Sequence, residues 1–180
     1  MKERWEIILS GVGGQGLIVS GSILGEAATI YENKNATLTS SYGTETRGTF
    51  TKSDIIISDG DIYYPEVMKE DAVLALAQVA YNRYVGSLDE EAVLIYDSGL
   101  VEDVKASRAK QLGFPITDIA RELGNPAVAN IVALGIIVKL TGVVSPEAVV
   151  KAIEGRFIKK PRVVELNTKA FNRGMELVKD

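Results

Sequence analysis

The stretch Ser10-Gly11-Val12-Gly13-Gly14-Gln15-Gly16 constrains this chain more than any other. The short apolar run before it, Trp5 to Leu9, has the length of a buried strand. After it, Leu17, Ile18, Gly21, Leu24, Gly25 and Ala28 recur at helical spacing. A strand, a glycine turn and a helix make the first part of a βαβ unit. In that context Gly11, Gly13 and Gly16 satisfy G-x-G-x-x-G. Four glycines in six residues leave the backbone bare, so an anion can reach the amide N–H groups. A helix opening at Gln15 or Gly16 points its positive end at the same place. The turn therefore predicts a phosphate cradle. A tight turn holding no ligand is the plainer alternative.

The rest of the chain reads as alternating strands and helices. The first strand is predicted over 4–10, the first helix over 15–32 and the second strand over Asn35–Ser40. Ser41 to Gly48 is a polar, glycine-edged loop, and strand character returns over 49–58. A parallel return needs about a dozen residues or more, so the junction near 40–58 is predicted antiparallel. Further strands are expected at Ala72–Leu76 and Ala92–Tyr96, with a short helix from Gln78 to Val85. Residues 100–116 are ambiguous, with a last strand placed near Phe114-Pro115-Ile116. Four helices follow: Thr117 as a cap with the helix to Leu123, Pro126 to Leu140, Pro146 to about Glu154, and Pro161 to Lys179. The expected fold is α/β, a Rossmann-like three-layer sandwich. Its sheet is mostly parallel, and its last third is helical.

The length of 180 residues suits one domain spanning 1–180. A net charge of −4 with mixed signs gives no electrostatic footprint for nucleic acid. No apolar run reaches the roughly 18 residues of a membrane span, and no secretory leader is read, so a cytoplasmic location is the default expectation. The chain contains no Cys and no His. It therefore offers no thiolate for an iron–sulfur cluster and no imidazole as a general base. Binding and positioning are expected of it rather than bond-making chemistry.

A nicotinamide dinucleotide site would need an acid at the end of the second strand to hold the ribose hydroxyls. That strand closes on Thr37-Leu38-Thr39-Ser40, so a free-standing NAD(P) enzyme is the weaker alternative. A scaffold subunit binding no small molecule is another. Arg47, between Thr46 and Gly48, can fork onto phosphate or carboxylate, or simply pair with Glu45. Asp54, Asp59 and Asp61 are close enough in sequence to suggest magnesium, although aspartate favours turns for its own reasons. Asn130 lies in an apolar helical run and is expected to bond a nearby loop, with ligand contact as the alternative.

Taken together, Gly11-Val12-Gly13-Gly14-Gln15-Gly16 and Ser41-Tyr42-Gly43-Thr44-Glu45-Thr46-Arg47-Gly48 resemble the gamma subunit of 2-oxoacid:ferredoxin oxidoreductases. The resemblance continues through Ser53-Asp54, Ser58-Asp59, Leu76 to Tyr81, Tyr96-Asp97-Ser98, Ala127 to Gly135 and Asn167 to Gly174. Ile62-Tyr63-Tyr64-Pro65 looks more like the 2-oxoglutarate branch than the pyruvate branch. The resemblance implies an enzyme that decarboxylates a 2-oxoacid on thiamine diphosphate with magnesium. It passes electrons through iron–sulfur clusters to ferredoxin and releases acyl-CoA. Those groups are expected on partner alpha, beta and delta subunits. By the same resemblance Gly11, Gly13, Gly14, Gln15 and Gly16 would line the phosphate end of coenzyme A. Ser41, Tyr42, Gly43, Glu45, Arg47 and Gly48 would form the facing loop. Catalytic and metal-binding residues are expected elsewhere. Thr44, Thr46 and Thr49 replace the proline, apolar residue and second glycine usual in the family, which implies a differently shaped loop.

Overall fold

The structure is a computed structural model and describes residues 2–42 and 49–179. It contains a six-stranded sheet in the order β2-β3-β1-β4-β5-β6. These strands are β1 (Arg4–Val12), β2 (Asn35–Tyr42), β3 (Phe50–Ser58), β4 (Ala72–Ala75), β5 (Val93–Asp97) and β6 (Lys110–Phe114). β1, β4, β5 and β6 pair in parallel. β3 is antiparallel to both β1 and β2 and alone runs against the sheet. The antiparallel junction expected from the short 41–48 connection is therefore present. The reversed strand is also inserted between the first two, which the connection length alone does not dictate.

The helices are α1 (Leu17–Glu26), α2 (Gln78–Tyr84), α3 (Ile116–Glu122), α4 (Ala129–Thr141), α5 (Pro146–Arg156) and α6 (Pro161–Glu176). They make a three-layer α/β arrangement, and the last third of the chain is helical as expected. One face of the sheet packs Ile7, Leu9, Ile55 and Leu74 against Ile23 and Leu24 of α1, Val132 of α4 and Phe171 of α6. The other face packs Ile8, Val73 and Leu94 against Tyr81 and Tyr84 of α2. α4 is apolar nearly all round because it lies between the sheet and α6; its residues Asn130 to Val138 are all buried.

Three local expectations change. The first helix does not run unbroken over 15–32: it starts at Leu17, and a π turn over Ala27–Tyr31 widens its end. There Thr29 Oγ1 donates back to the Gly25 carbonyl at 2.9 Å, and the Tyr31 hydroxyl reaches the Lys151 carbonyl at 3.2 Å. The last strand is Lys110–Phe114 and stops before Pro115, which lacks the N–H needed to continue a ladder. Thr117 does not cap α3. It lies inside the first turn, and both its N–H and its hydroxyl donate to Asp97 Oδ2. By contrast, Ser145 caps α5 as its sequence suggests, accepting from the Ala148 N–H at 3.2 Å.

Candidate functional site

The chain leaves β1 through α1 on one face of the sheet and β4 through α2 on the other. The carboxyl ends of β1 and β4 thus flank a topological switch point, where open α/β sheets form their ligand crevice. The glycine turn occupies that point, and the Leu76 N–H ties the two strand ends by donating to the Ser10 carbonyl at 3.0 Å.

Gln15 holds the turn in shape. Its Oε1 accepts from the Val12 N–H and its Nε2 donates to the Leu76 carbonyl, both at 2.8 Å. Its backbone N–H closes onto the Val12 carbonyl at 3.4 Å. The carboxamide needs the space a side chain at 11 would take: a Cβ on Gly11 would stand 2.1 Å from Gln15 Oε1. Gly14 and Gly16 adopt positive φ, 91° and 71°, which favours glycine. Asn130 of α4 donates from Nδ2 to the Gly16 carbonyl at 2.9 Å, the bond to a nearby loop expected of it.

Gly13 and Gly14 do something different. Both are exposed. A Cβ on either would meet nothing within 4 Å. Their N–H groups have no acceptor among the described residues. Beside them α1 opens with Gly16 at its cap position, no side chain capping it and no acid in its first turn. Free amides and an uncapped positive helix end converge on one open mouth, the arrangement that binds phosphate or carboxylate. Behind the mouth is a cavity of about 120 Å³ bounded by Gly13, Gly14, Leu17, Ile18, Thr51 and Ser53.

Thr51 and Ser53 were not candidates on sequence grounds. The signal was present: hydroxyl residues alternate at 49, 51 and 53, and period two puts them on one face of a strand. Ser41 is exposed and paired in register with Lys52, while Tyr42 pairs with Thr51, which in turn pairs with Gly11. Two strand spacings, roughly 10 Å, thus separate the backbone of Tyr42 from the glycine turn. Gly43, Glu45, Arg47 and Gly48 lie outside the described residues.

The three aspartates do not gather. Asp54 is buried in mid-strand and bonded by Lys52 Nζ at 2.7 Å. Asp59 lies 4.0 Å from Lys34 Nζ, and Asp61 accepts from the Tyr63 hydroxyl at 3.2 Å. Among the described residues no three His, Cys, Asp or Glu side chains are grouped to hold a metal ion. On the α2 side of the sheet, burial and then the charge of Asp54 push the Tyr84 hydroxyl up to about 12. No helix of the described residues is long and apolar enough to cross a membrane.

Comparison with known proteins agrees with this architecture. Residues 6–177 match the pyruvate ferredoxin/flavodoxin oxidoreductase family. The 2-oxoglutarate synthase subunit KorC of Methanocaldococcus jannaschii is 43% identical over 183 residues, covering 100% of this chain and 97% of that one. The gamma subunit of a keto/oxoacid ferredoxin oxidoreductase from Geobacter sulfurreducens superposes with a TM-score of 0.86 at 45% identity, covering 98% of this chain and 97% of that one. The 2-oxoglutarate:ferredoxin oxidoreductase of Magnetococcus marinus, solved with 2-oxoglutarate, coenzyme A and succinyl-CoA, shares the fold. Its TM-score is 0.87 at 22% identity, and the match covers 98% of this chain and 31% of that one. A family match over nearly the whole chain and close relatives of the same length lead to one conclusion: this protein belongs to the pyruvate ferredoxin/flavodoxin oxidoreductase family.

Proposed function

We propose that this chain is the gamma subunit of a 2-oxoglutarate:ferredoxin oxidoreductase and that its glycine turn grips the phosphates of coenzyme A. The assembled enzyme would convert 2-oxoglutarate, coenzyme A and oxidised ferredoxin to succinyl-CoA, carbon dioxide, reduced ferredoxin and a proton. The full-length likeness to KorC subunits supports the choice of 2-oxoacid. The observation that carries the role of this chain is the open mouth at Gly13 and Gly14, where free amides meet an uncapped helix. A substrate bearing several phosphates fits donors of this kind. Coenzyme A supplies the thiol that takes the acyl group. This chain's residues would bind and orient its nucleotide end, with Gln15 and Asn130 fixing the turn from behind.

The reaction itself falls to other chains. Iron–sulfur clusters need thiolate ligands, and this chain has no Cys. Thiamine diphosphate, magnesium and the clusters would sit on the alpha, beta and delta subunits. The test is to assay the purified chain alone and in its assembled complex for 2-oxoglutarate-dependent ferredoxin reduction. The complex is expected to turn over and the single chain to be inert. Turnover by the single chain would overturn the proposal.

A further inference from the structure

β3 stands beside β1 where a dinucleotide-binding sheet places the strand that reads the ribose, but it runs the opposite way. Its beginning, not its end, therefore reaches the glycine turn: Thr51 is in register with Gly11 and Phe50 with Val12. In the ordinary arrangement an acid at this place accepts hydrogen bonds from the ribose diol. Here the side facing α1 carries Thr51 and Ser53, both lining the cavity behind Gly13 and Gly14. The nearest acid on the strand, Asp54, alternates to the other face and is bonded by Lys52 at 2.7 Å.

Thr51 is the unexplained group. It is 8% exposed, and its hydroxyl has no hydrogen-bond partner among the described residues. The oxygen is not sealed from solvent, and Thr51 lines the cavity, so the hydroxyl is free to donate to a group that enters there. Ser53, two residues on, keeps its hydroxyl 3.0 Å from that of Ser40 and extends the polar wall. A cavity of about 120 Å³ lies below the roughly 300–1,000 Å³ that encloses a whole drug-sized ligand, so only one small group enters it. A ribose diol offers donors and calls for a carboxylate. A ribose phosphate only accepts, and calls for hydroxyl and amide donors.

We infer that Thr51, backed by Ser53, receives the phosphate on the ribose of coenzyme A and so selects the 3′-phosphorylated nucleotide over its unphosphorylated form. The inference rests on the coenzyme A reading above. Calorimetric titration of the assembled oxidoreductase, in the absence of 2-oxoacid, with coenzyme A and with dephospho-coenzyme A tests it. The native complex is expected to bind coenzyme A at least about tenfold more tightly, a factor equal to roughly 1.4 kcal/mol. Thr51→Val is expected to bring coenzyme A down to the affinity of the dephospho form and leave the latter unchanged. Equal native affinities, or a preference that survives Thr51→Val, would overturn the assignment. If the variant fails to assemble, competition on the native complex decides. Adenosine 3′,5′-bisphosphate must displace coenzyme A at lower concentration than AMP, and equal potency overturns the inference. Gly13→Ala separates the two readings. It is expected to weaken both coenzyme A forms together, and if it weakens neither, the coenzyme A reading itself has failed.

Discussion

The glycines of the turn have unlike roles, and substitution separates them. Gly16 is held at φ 71°, and a Cβ there would sit 2.5 Å from Asn130 Nδ2. Left-handed backbone costs a non-glycine residue about 1–2 kcal/mol, and losing the bond from Asn130 adds about 1 kcal/mol. Gly16→Ala is therefore expected to destabilise the protein by about 2–3 kcal/mol, read from the denaturant midpoint. Gly13→Ala adds its methyl into open space and is expected to leave that midpoint within about 0.5 kcal/mol. Tyr84 gives a pH signature from the opposite face. Its hydroxyl is raised to about 12, first by burial and then by Asp54, against about 10 in the unfolded chain. The folded state thus holds the proton more tightly. The corresponding stability, about 2–3 kcal/mol, is fully present below pH 10 or so and is lost as pH rises towards about 12. Denaturation measured across that window should show the loss in the native protein and a shallower one in Tyr84→Phe. Equal slopes would remove Tyr84 as the cause.

Between elements, the tightest constraint is the crossing of α4 and α6. A Cβ on Gly135 would stand 2.1 Å from the Phe171 carbonyl oxygen, and one on Gly174 would stand 1.9 Å from that of Val132. Backbone meets backbone there, and no side-chain rotation relieves the clash. Gly135→Ala should force the helices apart at a cost of about 3 kcal/mol or more, seen as a clear fall in melting temperature. An unchanged melting temperature would show the crossing to be looser than described. How much of this was readable beforehand differs from element to element. The β1–turn–α1 unit was legible because glycine spacing and hydrophobic period are local. The reversal of β3 was legible because 41–48 is too short for a crossover. That β3 pairs with β1 as well as β2 was not, since strand neighbours are chosen by packing over a long sequence separation. For that reason the end of β2, where a ribose-binding acid is expected, lies one strand further from the glycine turn than Thr51 of β3. Threonine suits a cap, so Thr117 is expected at one, whereas the buried carboxylate of Asp97 claims both its N–H and its hydroxyl.

For the whole molecule, the layout separates the core from the proposed binding mouth. Buried residues fill both faces of the sheet, while the free amides gather at one mouth at the carboxyl end of β1. Under the function proposed above, a chain with no Cys and no His would position coenzyme A for chemistry carried by other subunits. The most direct measurement is the Michaelis constant for coenzyme A in the assembled oxidoreductase carrying Gly13→Ala, with that for 2-oxoglutarate taken alongside. The methyl fills the mouth without disturbing the fold. The constant for coenzyme A should therefore rise at least about tenfold, a loss near 1.4 kcal/mol, while that for 2-oxoglutarate stays within about twofold. An unchanged constant for coenzyme A in a fully assembled, stable complex would contradict the account.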